Sequence, residues 1–274
     1  MNISIFRNTL ILILLLCISN TVDARKKHPA TGSMEPPKPK TGIDFIENKG
    51  QWVSEARFAA EIPGGVMFLT DDGFVYNYCN PDDLERIHEK EHDGFSVENE
   101  IVNHHAYKVK FVGSASNASL IKKEKKSHYH NYFIGNDKSK WAGNVGIYSQ
   151  IGLQNIYDGI DVAVYSKDNS VKYDFIVSAN ANPSQIKFSF DGVTPRINTE
   201  GDLVFKTSFS EIKEKAPYTY QVIDGKAIEV KSTYRLDKGI ISFDFPNGYN
   251  ESYPIIIDPV LVSASFSGAT GSQA

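Results

Sequence analysis

The chain is poor in cysteine, with only Cys17 and Cys79 in 274 residues. That excludes the disulfide framework that holds small secreted domains together, so core burial must supply the stability. Positive charge is not in excess either: 29 Lys and Arg stand against 33 Asp and Glu, a formal net charge of −4. Nothing in the composition offers the electrostatic footprint that phosphate backbones require, and nucleic acid is not an expected partner. The longest apolar run, Leu10 to Ile18, counts nine residues. As a helix it would cover about 14 Å, roughly half of a bilayer's hydrocarbon core. There is no G-x-S-x-G nucleophile elbow, P-loop, dinucleotide-binding fingerprint or EF-hand ligand pattern. No window of a dozen residues shows a convincing apolar stripe at helical spacing, and no cofactor is expected.

The first 24 residues read as a secretory signal: Arg7 gives the positive start, Leu10 to Ile18 the apolar centre, and Val22-Asp23-Ala24 the small residues at the cleavage site. Leu16 occupies the place where a small residue should precede a lipidated cysteine, which argues against acylation at Cys17. Cleavage leaves Cys79 as the only cysteine and no transmembrane segment. Cys79 follows the alternating Phe74-Val75-Tyr76-Asn77-Tyr78 and is expected to be a buried strand-end thiol. Residues 25–42 form a leader in which Pro29, Pro36, Pro37 and Pro39 alternate with Lys26, Lys27, Lys38 and Lys40, a composition for an extended, disordered segment.

From residue 43 to 260 the pattern changes to period-two alternation, which buries one strand face and wets the other. Tyr107, Val109 and Phe111 alternate with lysines; Val171, Tyr173, Phe175 and Val177 alternate with Lys172 and Asp174; Ile186, Phe188 and Phe190, then Ile241, Phe243 and Phe245, repeat the beat. Asp224-Gly225 separates two such runs as a two-residue hairpin turn, and Pro63-Gly64-Gly65, Asp72-Gly73 and Asp191-Gly192 mark further reversals. The expected fold is all-β, an antiparallel β-sandwich or two packed sandwiches, with very little helix. The one internal boundary suggested is near Asn136. The charged stretches Asp82 to Asp93 and Lys122 to Lys126 are expected to be loops or wet faces.

Three constellations could carry chemistry. His88-Glu89-Lys90-Glu91-His92 fits H-E-x-x-H, in which His88 and His92 one helical turn apart would hold zinc and Glu89 would act as general base. Its charged neighbours and the immediate Gly94 argue against a buried metal helix, and no metal is expected. His104, His105, His128 and His130 have no diagnostic spacing and read as ordinary packed or surface histidines. Asp161 and Asp174 form the second set: in a hairpin around Lys167 to Ser170, Ala163 faces Asp174 and Asp161 is its diagonal neighbour, a spacing compatible with glycosidase chemistry. Trp52 and Trp141 are the third, candidate sugar-stacking rings whose simpler reading is core.

Eight ordered strings resemble an uncharacterised domain found near the N-termini of large secreted bacterial proteins, ahead of seven-bladed β-propeller (SBBP) repeats. They are Phe45 to Trp52, His105 to Phe111, Asn131 to Asp137, Trp141, Ile156 to Asp161, Lys172 to Val177, Pro217 to Gln221 and Pro254 to Pro259. The resemblance implies an extracellular or cell-surface protein of a Gram-negative bacterium, of the gliding-motility-associated type, and brings no catalytic residues with it. Residues 261–274 resemble the start of the repeat region, which would make the downstream repeats a partner in the same parent protein; were the chain complete as given, the periplasm would be the destination. The leading expectation is therefore a non-enzymatic secreted or cell-surface structural and interaction domain, the N-terminal module of an adhesin-like repeat protein, touching cell-surface protein or glycan. The alternatives are a secreted hydrolase, zinc-dependent or glycosidic, and a carbohydrate-binding module.

Overall fold

The computed structural model describes residues 42–262, and side chains up to residue 259. The expected signal segment, the leader up to residue 41 and the tail beyond 262 lie outside the described residues. The strands in chain order are β1 (Phe45–Glu47), β2 (Phe58–Ile62), β3 (Gly65–Thr70), β4 (Gly73–Cys79), β5 (His104–Phe111), β6 (Ser119–Lys125), β7 (His130–Tyr132), β8 (Ala142–Val145), β9 (Ile147–Tyr157) and β10 (Ile160–Lys167). They continue as β11 (Ser170–Val177), β12 (Phe188–Asp191), β13 (Arg196–Ile197), β14 (Leu203–Lys206), β15 (Glu211–Ile223), β16 (Lys226–Glu229), β17 (Thr233–Asp237), β18 (Ile240–Asp244) and β19 (Ile255–Val262). One α-helix, α1 (Pro81–His92), joins β4 to β5.

Every pairing is antiparallel. One arm of the main sheet runs β9-β1-β2-β3-β4-β5-β12-β18-β17. The other runs β9-β10-β11-β19-β15, with β14 and β16 both on β15 and β13 on β14. The result is one large sheet curled nearly into a barrel, where a two-layer sandwich was expected. Alternation specifies a buried and a wet face but not whether the sheet splits or curls. Here the long strands decide: β9 pairs with β1 at Ile147 and Tyr148 and with β10 from Gln150 onward, while β15 carries β14 at one end and β16 at the other. Irregularities in the ladders at Ile160/Val162 and Lys215/Tyr218 supply local bends. Strands on both sides of Asn136 share this sheet.

Turn chemistry sets the hairpins. Asp168-Asn169, Asp224-Gly225 and Lys238-Gly239 all take positive φ at both central positions, the primed geometry that matches strand twist. The inner beat, including Phe74, Tyr107, Phe111, Tyr173, Phe175, Phe188 and Phe243, fills the main core. A second, smaller core on the outside of β1 to β4 joins Trp52, Phe68, Val75, Tyr132 and Val145 under the β7–β8 hairpin. Trp52 is delivered there by a loop built on Asn48, whose amide donates to Val53 and Ala56 carbonyls and whose Oδ1 accepts from Gly50 and Trp52 N–H. Between two cores β4 is buried throughout, and Cys79 with it.

Asp82 to Asp93, expected to be a loop or wet face, belongs to helix α1 apart from its last residue. Only Ile87 is buried, so there is no apolar stripe to detect. Local devices make the helix instead: Asn80 caps it, Pro81 starts it, Arg86 and Lys90 pair with Glu100, and Gly94 follows at φ 83°.

Among the described residues no backbone ladder joins β17 to β15, where the two arms approach each other. A buried carboxyl spans the gap. Glu214 on β15 accepts from Tyr173 on β11 at 3.0 Å and from Tyr234 on β17. Burial raises its pKa from 4.5 to about 7, against the opposing pull of the two phenols and Lys172. Because the folded state holds this proton more tightly than the unfolded chain, the contribution to stability is full below about pH 4.5 and is lost as pH rises to about 7. Glu214→Gln should therefore remove a fall in stability of order 3 kcal/mol between pH 4.5 and 7.5. Denaturant titrations of both proteins at the two pH values check this, and an unchanged pH dependence in the variant would count against it.

Candidate functional site

On β10, β11, β19 and β15 the residues alternating with the main core face outward, and the register lays them in rows. Ala163 on β10 is opposite Asp174 on β11, and Asp258 on β19 is opposite Tyr218 on β15. One residue beyond the Phe175–Ile257 pair, the antiparallel ladder sets Asp174 across from Asp258. The next row holds Asp161, Ile176, Ile256 and Tyr220, with Glu229 of β16 beside Tyr220. Period-two spacing puts Tyr218 and Tyr220 on the same side, their rings stacked at 5.6 Å and 29°. Tyr218 is 44% exposed and Ile176 36%, so an aromatic and aliphatic surface flanks the carboxylates.

The electrostatics follow from two acids sharing a partly dry place. Burial and the neighbouring Asp258 push Asp174 up to about 6, although Tyr165 lies 3.2 Å from both its oxygens. Burial raises Asp258 as well, with Lys172 and Lys167 pulling the other way. Lys172 Nζ is 3.9 Å from Asp258 Oδ1, an ion-pair distance beyond hydrogen-bond reach, and that buried oxygen has no hydrogen bond. The face thus presents a carboxyl poised between protonated and ionised near pH 6 and two stacked rings, with the unpartnered Asp258 oxygen buried beside them.

The hairpin from Ile160 to Val177 forms with the register expected. Asp161 serves the backbone instead of pairing with Asp174: its Oδ1 accepts from Asn155 N–H at 2.7 Å, where Asn155 holds φ 54° in the bulged part of β9. The acid neighbouring Asp174 is Asp258, from a strand 84 positions away, which no local spacing could announce. His88 and Glu89 are exposed on α1, and His92 is 82% exposed beside Asp93. His104 Nδ1 sits 3.7 Å from Cys79 Sγ, His105 Nδ1 receives the Ser208 N–H, His128 is exposed and His130 meets Tyr132. Among the described residues no group of three His, Cys, Asp or Glu is placed to hold a metal. Trp52 is 4% exposed in the second core, whereas Trp141 is 39% exposed, with Phe133 at its edge and Lys138 over its ring.

If mutual repulsion contributes to the high pKa of Asp174, Asp258→Asn should lower its titration midpoint from about 6 toward the ordinary carboxylate range. Carboxyl-carbon NMR titration of the wild type and the variant reads this directly. A midpoint that stays put would assign the shift to burial alone.

No helix among the described residues is long and apolar enough to cross a membrane. Among curated proteins and among solved structures, none matches the chain. A family model does match it, over residues 45–260, from the first residue of β1 into β19. The chain belongs to the family described as a domain of unknown function, DUF7948.

Proposed function

We propose that this domain is a non-enzymatic interaction module of an exported or cell-surface protein, that it stands at the N-terminal side of adhesin-like β-propeller repeats, and that it touches carbohydrate through the outer face of β11, β19 and β15. The observation that carries this reading is the stacked Tyr218–Tyr220 pair, Tyr218 exposed and Tyr220 half-buried, beside the carboxyls of Asp174 and Asp258. A sugar ring offers an apolar C–H face and a rim of hydroxyl donors, and this surface offers a ring platform with carboxylates at its edge. Trp52 cannot contribute without unfolding the second core, and Trp141 has Lys138 over its ring. The expected export rests on the sequence of residues 1–24.

Soluble and immobilised cell-surface polysaccharides are the probes. Tyr218→Ala should weaken retention about tenfold, the equivalent of one lost stacking contact of roughly 1.4 kcal/mol, while Trp141→Ala leaves it unchanged. Retention lost with Trp141→Ala and kept with Tyr218→Ala would move the contact to the β7–β8 hairpin.

One observation favours a second reading, glycoside hydrolysis. Asp174 and Asp258 face one another across adjacent strands and burial raises both, Asp174 to about 6, so a protonated acid can stand beside a carboxylate there. Reducing-sugar release that disappears in Asp174→Asn would establish it in place of simple binding. Stoichiometric zinc lost in His88→Ala would instead favour the metal-dependent form through His88, Glu89 and His92.

A further inference from the structure

The β7–β8 hairpin is apolar on both sides. Its inner side, with Tyr132, Ala142 and Val145, closes the second core. One position beyond the Tyr132–Ala142 pair, Phe133 and Trp141 meet across the hairpin on its outer side, 60% and 39% exposed, with ring centroids 5.7 Å apart at 61°. Gly143 makes room for this pair, since a Cβ there would stand 3.6 Å from the Phe133 ring. The indole Nε1 donates to the Gly135 carbonyl at 3.2 Å, so what Trp141 offers outward is ring surface.

The rim of the pair is basic. Lys138 Nζ lies over the indole at 5.7 Å, Lys140 is exposed one residue before Trp141, and Lys49 donates to the Asn144 carbonyl of the same hairpin. β6, whose chain leads into the hairpin, adds the exposed Lys123 and Lys125 against Glu124. The carboxylates are fewer. Asp137 Oδ1 accepts from the Ser139 N–H and hydroxyl within its own turn, and Glu61 lies on the inner side, where it acts on Tyr132.

We infer that this hairpin docks on an anionic lipid surface, with Phe133 and Trp141 entering the boundary between headgroups and acyl chains and Lys138 and Lys140 meeting lipid phosphates. An aromatic pair on the wet side of a hairpin whose other side already fills a core has no structural duty, and its hydration is unfavourable. Rings bordered by lysines suit the interface of a bilayer, where the ring sits at headgroup level and the ammonium is attracted to negative charge. Lys138 has the geometry for this: its stem follows the indole while its charged end is free to turn outward. A soluble polyanion would satisfy the lysines and leave the rings in water, whereas a bilayer takes up both. Two rings and two lysines make a reversible contact, not an insertion. The hairpin lies outside β1 to β4, on other strands than those bearing Tyr218 and Asp174. It would seat the domain on a surface and leave the tyrosine face to the molecules that face binds. This goes beyond the carbohydrate reading and does not rest on it.

Vesicle co-sedimentation with tryptophan emission tests it, on the chain from residue 25 that the expected cleavage leaves. The chain has two tryptophans and Trp52 is 4% exposed, so a blue shift on binding reads Trp141. The expected result is sedimentation with phosphatidylcholine–phosphatidylglycerol vesicles, a blue shift, and weakening of both in high salt. Trp141→Phe should still sediment and show no shift. Lys138→Gln and Lys140→Gln should each weaken binding about fivefold, and Phe133→Ala/Trp141→Ala more than about tenfold, while Tyr218→Ala binds as the parent does. The lysine variants touch no packed side chain of the second core, so they keep the test decisive if the aromatic variant fails to fold. Equal binding to pure phosphatidylcholine, or none to either vesicle, would overturn the inference. Sedimentation with a silent Trp141 and no loss in the variants would place the contact elsewhere, the lysine-rich leader included, and overturn it too. A blue shift caused without vesicles would do the same, assigning the patch to carbohydrate if a soluble acidic polysaccharide causes it and to a second copy if protein concentration does.

Discussion

The structure depends on a single curled sheet covering its own apolar face, with a last gap that backbone pairing does not bridge. Glu214 fills that gap, reaching Tyr173 on one side and Tyr234 on the other. A carboxyl buried this way is costly in its ionised form, and the two phenols offset part of that cost by donating to it. The surrounding rings are phenolic too: Tyr76 and Tyr107 stack at 5.0 Å and Tyr78 lies parallel to both. The barrel is thus closed by side chains where its hydrogen-bond ladder stops, and that closure holds β11 and β15, two of the strands bearing the outer face, to the rest of the core.

The two sides of those strands divide the labour. Along β11, Val171, Tyr173, Phe175 and Val177 are buried, while Lys172, Asp174 and Ile176 look outward. Rigid burial on one side gives the other a fixed register, so Asp174, Asp258, Tyr218 and Tyr220 are presented on regular strands instead of loops. The acids are dry enough that burial raises both, Asp174 to about 6, and each is only partly covered, which is the condition in which a carboxylate responds to an arriving donor.

Much of this was legible in the residues. The beat of Val171 to Val177 gave the buried side of β11, and Asp224-Gly225 gave the β15–β16 turn, because both signals are local. The pairing of Ala163 with Asp174 followed from hairpin counting for the same reason. Asp258 was not legible as the second acid, since the neighbour of a strand contributed from far along the chain depends on how the whole sheet is ordered. Curling over splitting was equally hidden, because both architectures demand the same alternation. Glu214 could have been found: it continues the inward beat from Ile212, and a charged residue at an inward position calls for buried partners. Helix α1 escaped because caps and ion pairs, with one apolar anchor, leave no periodic trace.

The central claim is that the outer face of β11, β19 and β15 is the surface through which this domain meets other molecules. Amide and side-chain NMR shift mapping during titration with soluble oligosaccharides from bacterial surface polymers tests it most directly. The account predicts perturbations concentrated at Tyr218, Tyr220, Ile256, Asp258 and Asp174. Perturbations concentrated instead at Phe133 and Trp141, with that face silent, would contradict it.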